Sequence, residues 1–286
     1  MTTPAARRPV PPRPVTHQRM LLRRFRTWRF LRESALLVAR GLRTAARVPT
    51  RISGVSLQPI LNTTLFVSVF SSVIHIPGTR YQDYLLPGLI AQSIAFGGVS
   101  AGVATATDFS LGVVDRLTSL PITRLAVITA QIVAQIIEQI ASMTVVACLG
   151  LALGWHPHLN AVTGSELVAL LLLGLFAFTT FGVLLGTIVR NPTAIQGISY
   201  GIVFPLAFLG GTYVPISGMQ AIPRTIAEYN PIAVLVAAVR QVAQGTRSSG
   251  SWPLEHPVLS IVAYCAVIIA LCLPWAVKKF SSGPGP

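Results

Sequence analysis

Four polar residues recur along one apolar stretch of the sequence at the spacing of a helix face. They are Gln131, Gln135, Glu138 and Ser142, separated by four, three and four positions. This spacing places all four on one side of an α-helix, with Gln139 beside them. A carboxylate in a membrane helix faces a bundle interior or a wet cavity rather than lipid. The strip can therefore line a translocation path or a subunit contact, or it can hold helices together through hydrogen bonds.

The sequence lacks one common motif for ATP binding and one for zinc-dependent hydrolysis. GxxxxGK[ST] and HExxH are both absent. Without the first of these, the chain is not expected to cradle ATP phosphates in a P-loop. His156 and His158 flank a proline and could hold a metal, but beside Trp155 they are more typical of a membrane interface. We expect neither a cofactor nor a metal on this chain.

A lone arginine lies in a second apolar segment, NPIAVLVAAVRQVAQG, which runs from Asn230 to Gly245. An unpaired cation is expensive near lipid, so Arg240 is expected to have a partner or to reach polar headgroups. The part from Ile232 to Val242 is apolar enough to re-enter a membrane. Backbone at that depth survives only where protein or a water-filled cavity covers it.

The composition is that of a membrane protein. Of the 286 residues, 52% are hydrophobic and 10% are charged, and the mean hydropathy is +0.66. A soluble domain carries about 25% charged residues. Apolar runs recur along the chain, which predicts a multi-pass protein.

The net charge of +14 is concentrated at one end of the chain. Thirteen arginines lie between Arg7 and Arg51, opposed there only by Glu33. A nucleic-acid-binding domain would spread such charge over a surface, so we expect no nucleic-acid partner. We predict a disordered basic tail over residues 1–18 and an amphipathic helix over residues 19–48. This helix would lie in the lipid interface through Phe25 and Trp28, although a transit peptide is also arginine-rich and acid-poor.

Six membrane spans are predicted, each with the roughly 20 apolar residues that cross a hydrocarbon core. They cover residues 54–76, 86–107, 125–154, 167–189, 195–214 and 258–277. With a cytoplasmic N-terminus, eighteen Lys and Arg residues fall inside and four outside. The positive-inside rule therefore predicts that both termini are cytoplasmic. The inner connection at residues 108–124 has apolar residues at helical spacing up to Pro121, which predicts a short amphipathic helix on the cytoplasmic face.

Three sequence blocks carry a resemblance to a known family. They are GVVDRLTSLPITRLAVI at residues 112–128, RNPTAIQGISYG at residues 190–201 and GGTYVPISGMQAIPRTIAEYNPIAVLVAAVRQVAQG at residues 210–245. Together they resemble the type-2 ABC exporter permeases, in the branch similar to the daunorubicin-resistance permeases of actinobacteria. The resemblance covers roughly residues 19–279 and implies a type-2 ABC transmembrane domain over residues 49–280, followed by a tail at 281–286.

The resemblance implies an all-α fold in the bacterial cytoplasmic membrane. This fold has six transmembrane helices, an N-terminal interfacial helix, a cytoplasmic coupling helix and re-entrant outer helices before the sixth span. The coupling segment would dock into an ATPase through Asp108, Gly112, Asp115, Arg116, Leu117 and Pro121. The outer re-entrant segment would include Asn230, Pro231, Arg240 and Gly245.

The chain departs from the family pattern in its third span. The family often has Gly and a basic residue where Ala130 and Gln131 stand, and an acidic residue near Gln135. Glu138 is then the one ionised candidate of that span, which removes the basis for a charge pair there.

The resemblance further implies an exporter driven by separate subunits. Two permeases, identical or sister chains, would associate with two nucleotide-binding ATPase subunits that hold ATP and Mg²⁺. This chain would be a permease without its own ATPase site, moving a hydrophobic or amphiphilic drug, polyketide or complex lipid outward. Export of a polysaccharide and a non-transporting membrane scaffold are the alternatives. A lipid-modifying enzyme is disfavoured, because Glu138 would sit in the membrane while the two histidines lie outside.

Overall fold

The fold is built from helices, and no strand occurs in the part of the chain that the structure describes. The computed structural model describes residues 49–71, 80–114, 124–157, 159–246, 248 and 250–281. Its helices are α1 (Pro49–Phe70), α2 (Tyr81–Ser110), α3 (Arg124–Ala152), α4 (Ala161–Val189), α5 (Pro192–Leu209), α6 (Ala221–Tyr229), α7 (Pro231–Gln244), α8 (Trp252–Glu255) and α9 (Pro257–Ser281). The predicted basic tail and interfacial helix, with Phe25 and Trp28, lie outside the described residues.

Five helices are long and apolar enough to cross a membrane, judged on the described residues. They are α2, the Ile128–Ala152 part of α3, α4, α5 and the Pro257–Lys279 part of α9. Helix α1, counted over Ile60–Phe70, and helix α7 are shorter apolar helices. The all-helical membrane architecture is thus confirmed. The total of six spans stays a prediction, because it requires α1 to be the first span.

Helix α2 is the central helix of the bundle. In the most apolar part of α2, 67% of the residues are buried inside the bundle, whereas the corresponding value for α5 is 17%. Its side chains Leu86 and Ile94 pack in the main core with Leu175 of α4 and Leu235 of α7. A helix that is apolar all round is buried in this way, because it has no polar face to turn outward.

Glycines let α2 and α4 approach until their backbones touch. Gly98 and Gly102 on α2 face Gly182 and Gly186 on α4. A Cβ built on Gly182 would lie 1.7 Å from the carbonyl oxygen of Gly98, and one built on Gly186 would lie 2.5 Å from that of Gly102. No side chain fits these spaces, so the two pairs set the distance between the helices. Helix α3 packs antiparallel on α2, where Gly150 gives room to the side chain of Leu86.

Helix α5 is irregular near Pro205. Residues Ser199–Val203 form a π-helical segment between two α-helical parts, Pro192–Ile198 and Phe204–Leu209. Proline has no N–H for the carbonyl four residues earlier and its ring crowds that carbonyl, which favours a local widening of the helix. The helix ends at Leu209, before the predicted limit at residue 214, and Gly211 with φ 71° turns the chain.

Helix α7 begins beside the middle of α2 rather than at its end. Its residue Ile232 packs in one buried cluster with Ala95 of α2 and Ala207 of α5. From there α7 runs antiparallel to α2, so that Arg240 reaches Tyr84 near the start of α2. Its 14 residues extend about 21 Å. The helix therefore covers about half of the length of α2.

Candidate functional site

The ends of α7 are fixed by residues that the sequence singled out. The side-chain oxygen of Asn230 accepts a hydrogen bond from the N–H of Ile232 at 3.0 Å, and Pro231 occupies the first helical position. Gly245 ends the helix with φ 69°, and its N–H donates to the carbonyl of Gln241 at 2.8 Å. These are common start and stop signals of a helix, because they satisfy main-chain groups that have no partner inside it.

Arg240 is buried and finds its partners in the main chain. Its Nε donates to the carbonyl of Tyr84 at 3.0 Å, and its Nη2 donates to the carbonyls of Gly211 and Thr212 at 2.8 and 3.2 Å. The guanidinium carbon lies 3.5 Å from the centre of the Tyr84 ring. The hydroxyl of Tyr84 donates to the same Gly211 carbonyl at 2.8 Å. Three carbonyls and one aromatic face offset the cost of burying this cation.

The close approach of these segments depends on Gly88. A Cβ on Gly88 would lie 3.0 Å from the Nη2 atom of Arg240 and 3.0 Å from the Cα of Thr212. Such contacts are tighter than ordinary van der Waals packing. A larger residue at this position would push the 210–213 turn and the guanidinium away from α2.

Gln244 replaces a hydrogen-bond donor that is missing in α2 because of a proline. Pro87 lies inside α2 and has no N–H for the carbonyl of Asp83, four residues earlier. The side-chain amide of Gln244 donates to that carbonyl. The C-terminal turn of α7 is thereby bonded to the first turn of α2.

Asn230 makes the corresponding contact at the other end of α7. In a continuing helix the N–H of Gly210 would bond the carbonyl of Leu206, but it bonds that of Ala207 at 3.2 Å instead. The Nδ2 atom of Asn230 donates to the Leu206 carbonyl at 2.7 Å. One side chain therefore starts α7 and stabilises the end of α5.

Three polar side chains of α7 and its N-terminal cap thus share one chemical task. Asn230, Arg240 and Gln244 each donate to main-chain carbonyls at the end of α5, in the turn after it, or in the first turn of α2. Inside a membrane an unsatisfied carbonyl is expensive, so these donors make the interrupted backbone stable there. This arrangement holds three chain segments in fixed relative positions, and we call it the α7 clamp.

The predicted polar strip lies along α3, beside its packed face. Ser142 is buried, and the other three members are half-buried: Gln131, Gln135 and Glu138. Gln139, beside them, donates to the carbonyl of Ser93 on α2 at 2.7 Å. Its side chain fills the space over Gly97, where a Cβ would lie 2.5 Å from its Cδ. For Gln139 the structure therefore provides a hydrogen bond between helices.

A stretch that includes every residue of the α7 clamp except Gln244 matches a known family. The family described as ABC-2 type transporter matches residues 32–243, more than half of the chain. This chain belongs to the ABC-2 type transporter family. Members of the family are permease subunits that work with ATP-binding subunits.

Two relatives of this ABC-2 permease carry drug-resistance names. This chain is 24% identical over 243 residues to the daunorubicin resistance ABC transporter permease protein of Streptomyces coeruleorubidus. The alignment covers 84% of this chain and 83% of the relative. The chain is 27% identical over 194 residues to the doxorubicin resistance ABC transporter permease protein of Mycobacterium tuberculosis strain H37Rv, covering 66% of each. The resemblance to daunorubicin-resistance permeases is thereby confirmed.

The predicted coupling segment of this ABC-2 permease is described only at its start. Asp108 lies in the last turn of α2, and Gly112 has φ 64° in the turn after it. The N–H of Gly112 donates to the carbonyl of Phe109 at 3.1 Å. The other predicted coupling residues lie outside the described residues: Asp115, Arg116, Leu117 and Pro121.

The histidines of the ABC-2 permease do not form a recognisable metal centre in the described part of the chain. His156 is exposed, and His158 lies outside the described residues. Within the residues searched, no three His, Cys, Asp or Glu side chains group closely enough to hold a metal ion.

Several residues of the α7 clamp were not found from the sequence. Tyr84, Gly88, Gly211, Thr212 and Gln244 all contribute to it. One signal was available, because Pro87 inside an apolar span leaves a carbonyl that must find another donor. The sequence does not indicate which donor that is, because Gln244 is 161 residues away from Asp83 along the chain.

Proposed function

We propose that this chain is the permease subunit of an ATP-driven exporter that moves a hydrophobic or amphiphilic substrate out of the cell. The observation that carries the proposal is the α7 clamp. A helix about half the length of α2 is held inside a membrane bundle by side-chain donors, within the region that matches the ABC-2 family. Half-length helices at membrane depth occur where protein or a water-filled cavity covers them, as in transport proteins.

In this proposal α6 and α7 form a re-entrant pair at the outer side of the membrane. Helix α7 extends about 21 Å, whereas the hydrocarbon core is about 30 Å thick, so it is too short to span it. Asn230 and Pro231 lie at the turn between the two helices, at the depth of Ala95 of α2. The pair would close the exit of the path from the outside.

The proposed topology has six spans with both termini in the cytoplasm, in a bacterial inner membrane. It takes α1 as the first span and α2, α3, α4, α5 and α9 as the others. The excess of Lys and Arg on one side supports this orientation. The turn at Gly112 and the segment after it would then face the cytoplasm and contact the ATPase.

The proposed complex contains two ATPase subunits and two permeases, identical or sister chains. ATP and Mg²⁺ would bind the ATPase subunits, because the permease sequence lacks a P-loop motif. Closure of the ATPase pair must stabilise one arrangement of the permeases over another in order to drive transport. The names of the relatives, which refer to daunorubicin and doxorubicin resistance, support a drug-like substrate.

The test is purification of the full chain in mild detergent after co-expression with ATPase genes encoded next to it. The complex is placed in lipid vesicles, and uptake of doxorubicin into inverted vesicles is followed by its fluorescence. We expect ATP-dependent uptake that an ATPase partner with an inactivated P-loop lysine does not support. Uptake of a polysaccharide instead would change the substrate class, and a chain that recruits no ATPase would favour the scaffold alternative.

A further inference from the structure

Arg190 occupies a backbone position that favours glycine. It follows α4 with φ 51°, and it is the one residue other than glycine with positive φ in the described part of the chain. Its N–H donates to the carbonyl of Gly186 at 3.1 Å and so closes the end of the helix. Glycine or asparagine commonly takes this position because a larger side chain is strained there. An arginine at this point therefore suggests a task for its side chain.

The side chain of Arg190 joins the end of α4 to the last turn of α2. Its guanidinium carbon lies 4.9 Å from the centre of the Phe109 ring, within the range of a cation–π contact. Its Nε donates to the carbonyl of Thr187 at 3.3 Å, which holds the guanidinium close to the end of its own helix. A glycine at position 190 would make neither contact.

Phe109 lies at the start of the predicted coupling segment. It is in the last turn of α2, and Gly112 with φ 64° turns the chain directly after it. Phe109 packs against a buried cluster that includes Val114, Ile128 of α3 and Val183 of α4. The chain at Val114 and the Phe109 ring therefore belong to one packed cluster.

On its other side, Arg190 is connected to α5 by a single residue. Asn191 starts α5, since its side-chain oxygen accepts hydrogen bonds from the N–H groups of Thr193 and Ala194 at 3.0 and 3.2 Å. Helix α5 is the least buried of the five candidate spans, with 17% of its residues buried inside the bundle, and it contains the π-helical segment Ser199–Val203. It is therefore the span with few packing contacts to oppose a movement.

We infer that the Arg190–Phe109 contact is a positioning contact that carries movement of the coupling segment to the N-terminal end of α5. The inference rests on the proposed function, because it assigns this contact to the coupling of ATP hydrolysis to transport. Arg190 acts here through Phe109 and Asn191 and touches no substrate. The connection is contiguous, and each of its contacts joins described residues.

The first arm of the test needs no ATPase. Spin labels are attached at Leu111→Cys and Thr193→Cys, both at exposed positions, in a full-length chain whose Cys148, Cys265 and Cys272 are replaced by Ser. The label-to-label distance distribution is measured in lipid nanodiscs. We expect Arg190→Met and Phe109→Leu each to broaden it, the double variant to broaden it no further, and Arg190→Lys to retain part of the wild-type distribution.

The second arm measures transport per ATP hydrolysed by the reconstituted complex. Loss of one cation–π contact is expected to lower this ratio about threefold to tenfold in Arg190→Met and Phe109→Leu, with assembly and basal ATP hydrolysis unchanged. The control is Arg224→Met, which removes an exposed arginine paired with Glu228 on α6. It should leave both the distances and the ratio at wild-type values.

The two arms separate failure of the inference from failure of the proposed function. An unchanged distance distribution in both single variants, or additive effects in the double variant, overturns the positioning contact. A ratio that falls equally with basal ATP hydrolysis and assembly also overturns it, because Arg190 is then only a structural helix end. A wild-type complex that exports nothing overturns the proposed function, while the distance arm still decides whether the contact links the two segments.

Discussion

The side-chain amide of Gln244 donates a hydrogen bond to the main-chain carbonyl of Asp83. That carbonyl lacks its usual helical donor because the residue four positions later is Pro87. A defect in one helix is thus repaired by a side chain of another. The same principle holds for Asn230, which donates to the carbonyl of Leu206 at the end of α5.

The repair can be tested with a pair of substitutions. Gln244→Leu removes the donor and is expected to lower the free energy of unfolding by about 1 kcal/mol. Pro87→Ala restores an N–H for the Asp83 carbonyl, so the same Gln244→Leu change should cost less in that background. The measurement is unfolding of the purified chain by SDS titration. Equal effects of Gln244→Leu in both backgrounds would contradict the repair.

Arg240 is expected to be irreplaceable by lysine. Its guanidinium bonds three carbonyls and stacks on the Tyr84 ring, whereas an ammonium group is a compact charge without a planar face. Arg240→Lys should lower the free energy of unfolding by about 2 kcal/mol. Arg224→Lys is the matched control, because Arg224 forms an exposed pair with Glu228, and it should change stability by less than about 0.5 kcal/mol. Similar losses in the two variants would argue against the clamp.

The close contact between α2 and α4 leads us to expect opposite effects when two glycines of α4 are replaced by alanine. Gly182→Ala places a Cβ 1.7 Å from the Gly98 carbonyl oxygen and should destabilise the fold by about 3 kcal/mol or prevent it. Gly164→Ala meets nothing within 4 Å and should stabilise α4 by about 0.5–1 kcal/mol. Thermal unfolding in detergent, followed by size-exclusion chromatography, distinguishes them. A tolerated Gly182→Ala would mean that the helices are further apart.

The two hydrogen-bonding functions of Asn230 can be separated. Asn230→Ser keeps an oxygen for the Ile232 N–H but loses the amide donor to Leu206. Asn230→Ala loses both. The expected order of stability is wild type, then Ser, then Ala, with about 1 kcal/mol for each step. If Ser and Ala are equally destabilising, the cap contributes nothing at this position.

The sequence predicted much of the bundle because hydrophobic length and local helix signals need no knowledge of neighbours. Runs of apolar residues located the membrane-crossing helices. The sequence did not identify Gly182 as the partner of Gly98, because a glycine carries no sign of the helix it faces.

The candidate site was predicted only in part, because the sequence of one helix does not indicate which neighbouring helix its side chains bond. The polar strip on α3 was recognised as a helix face, but the bond that joins α3 to α2 comes from Gln139, the residue beside the strip. Whether the strip faces a path or a partner chain depends on contacts beyond this chain. The roles assigned to Asp108 and Gly112 stay predictions of the family resemblance.

By itself the sequence determined the membrane class of this protein, its family and the two ends of α7. Each depends on composition, on motif or on bonds between residues close together in the chain, such as Asn230 with Ile232. The tertiary structure decided which main-chain carbonyls Arg240 bonds. Arg240 and Tyr84 are 156 residues apart, and carbonyls are present at every position, so only the packing of α7 against α2 selects among them.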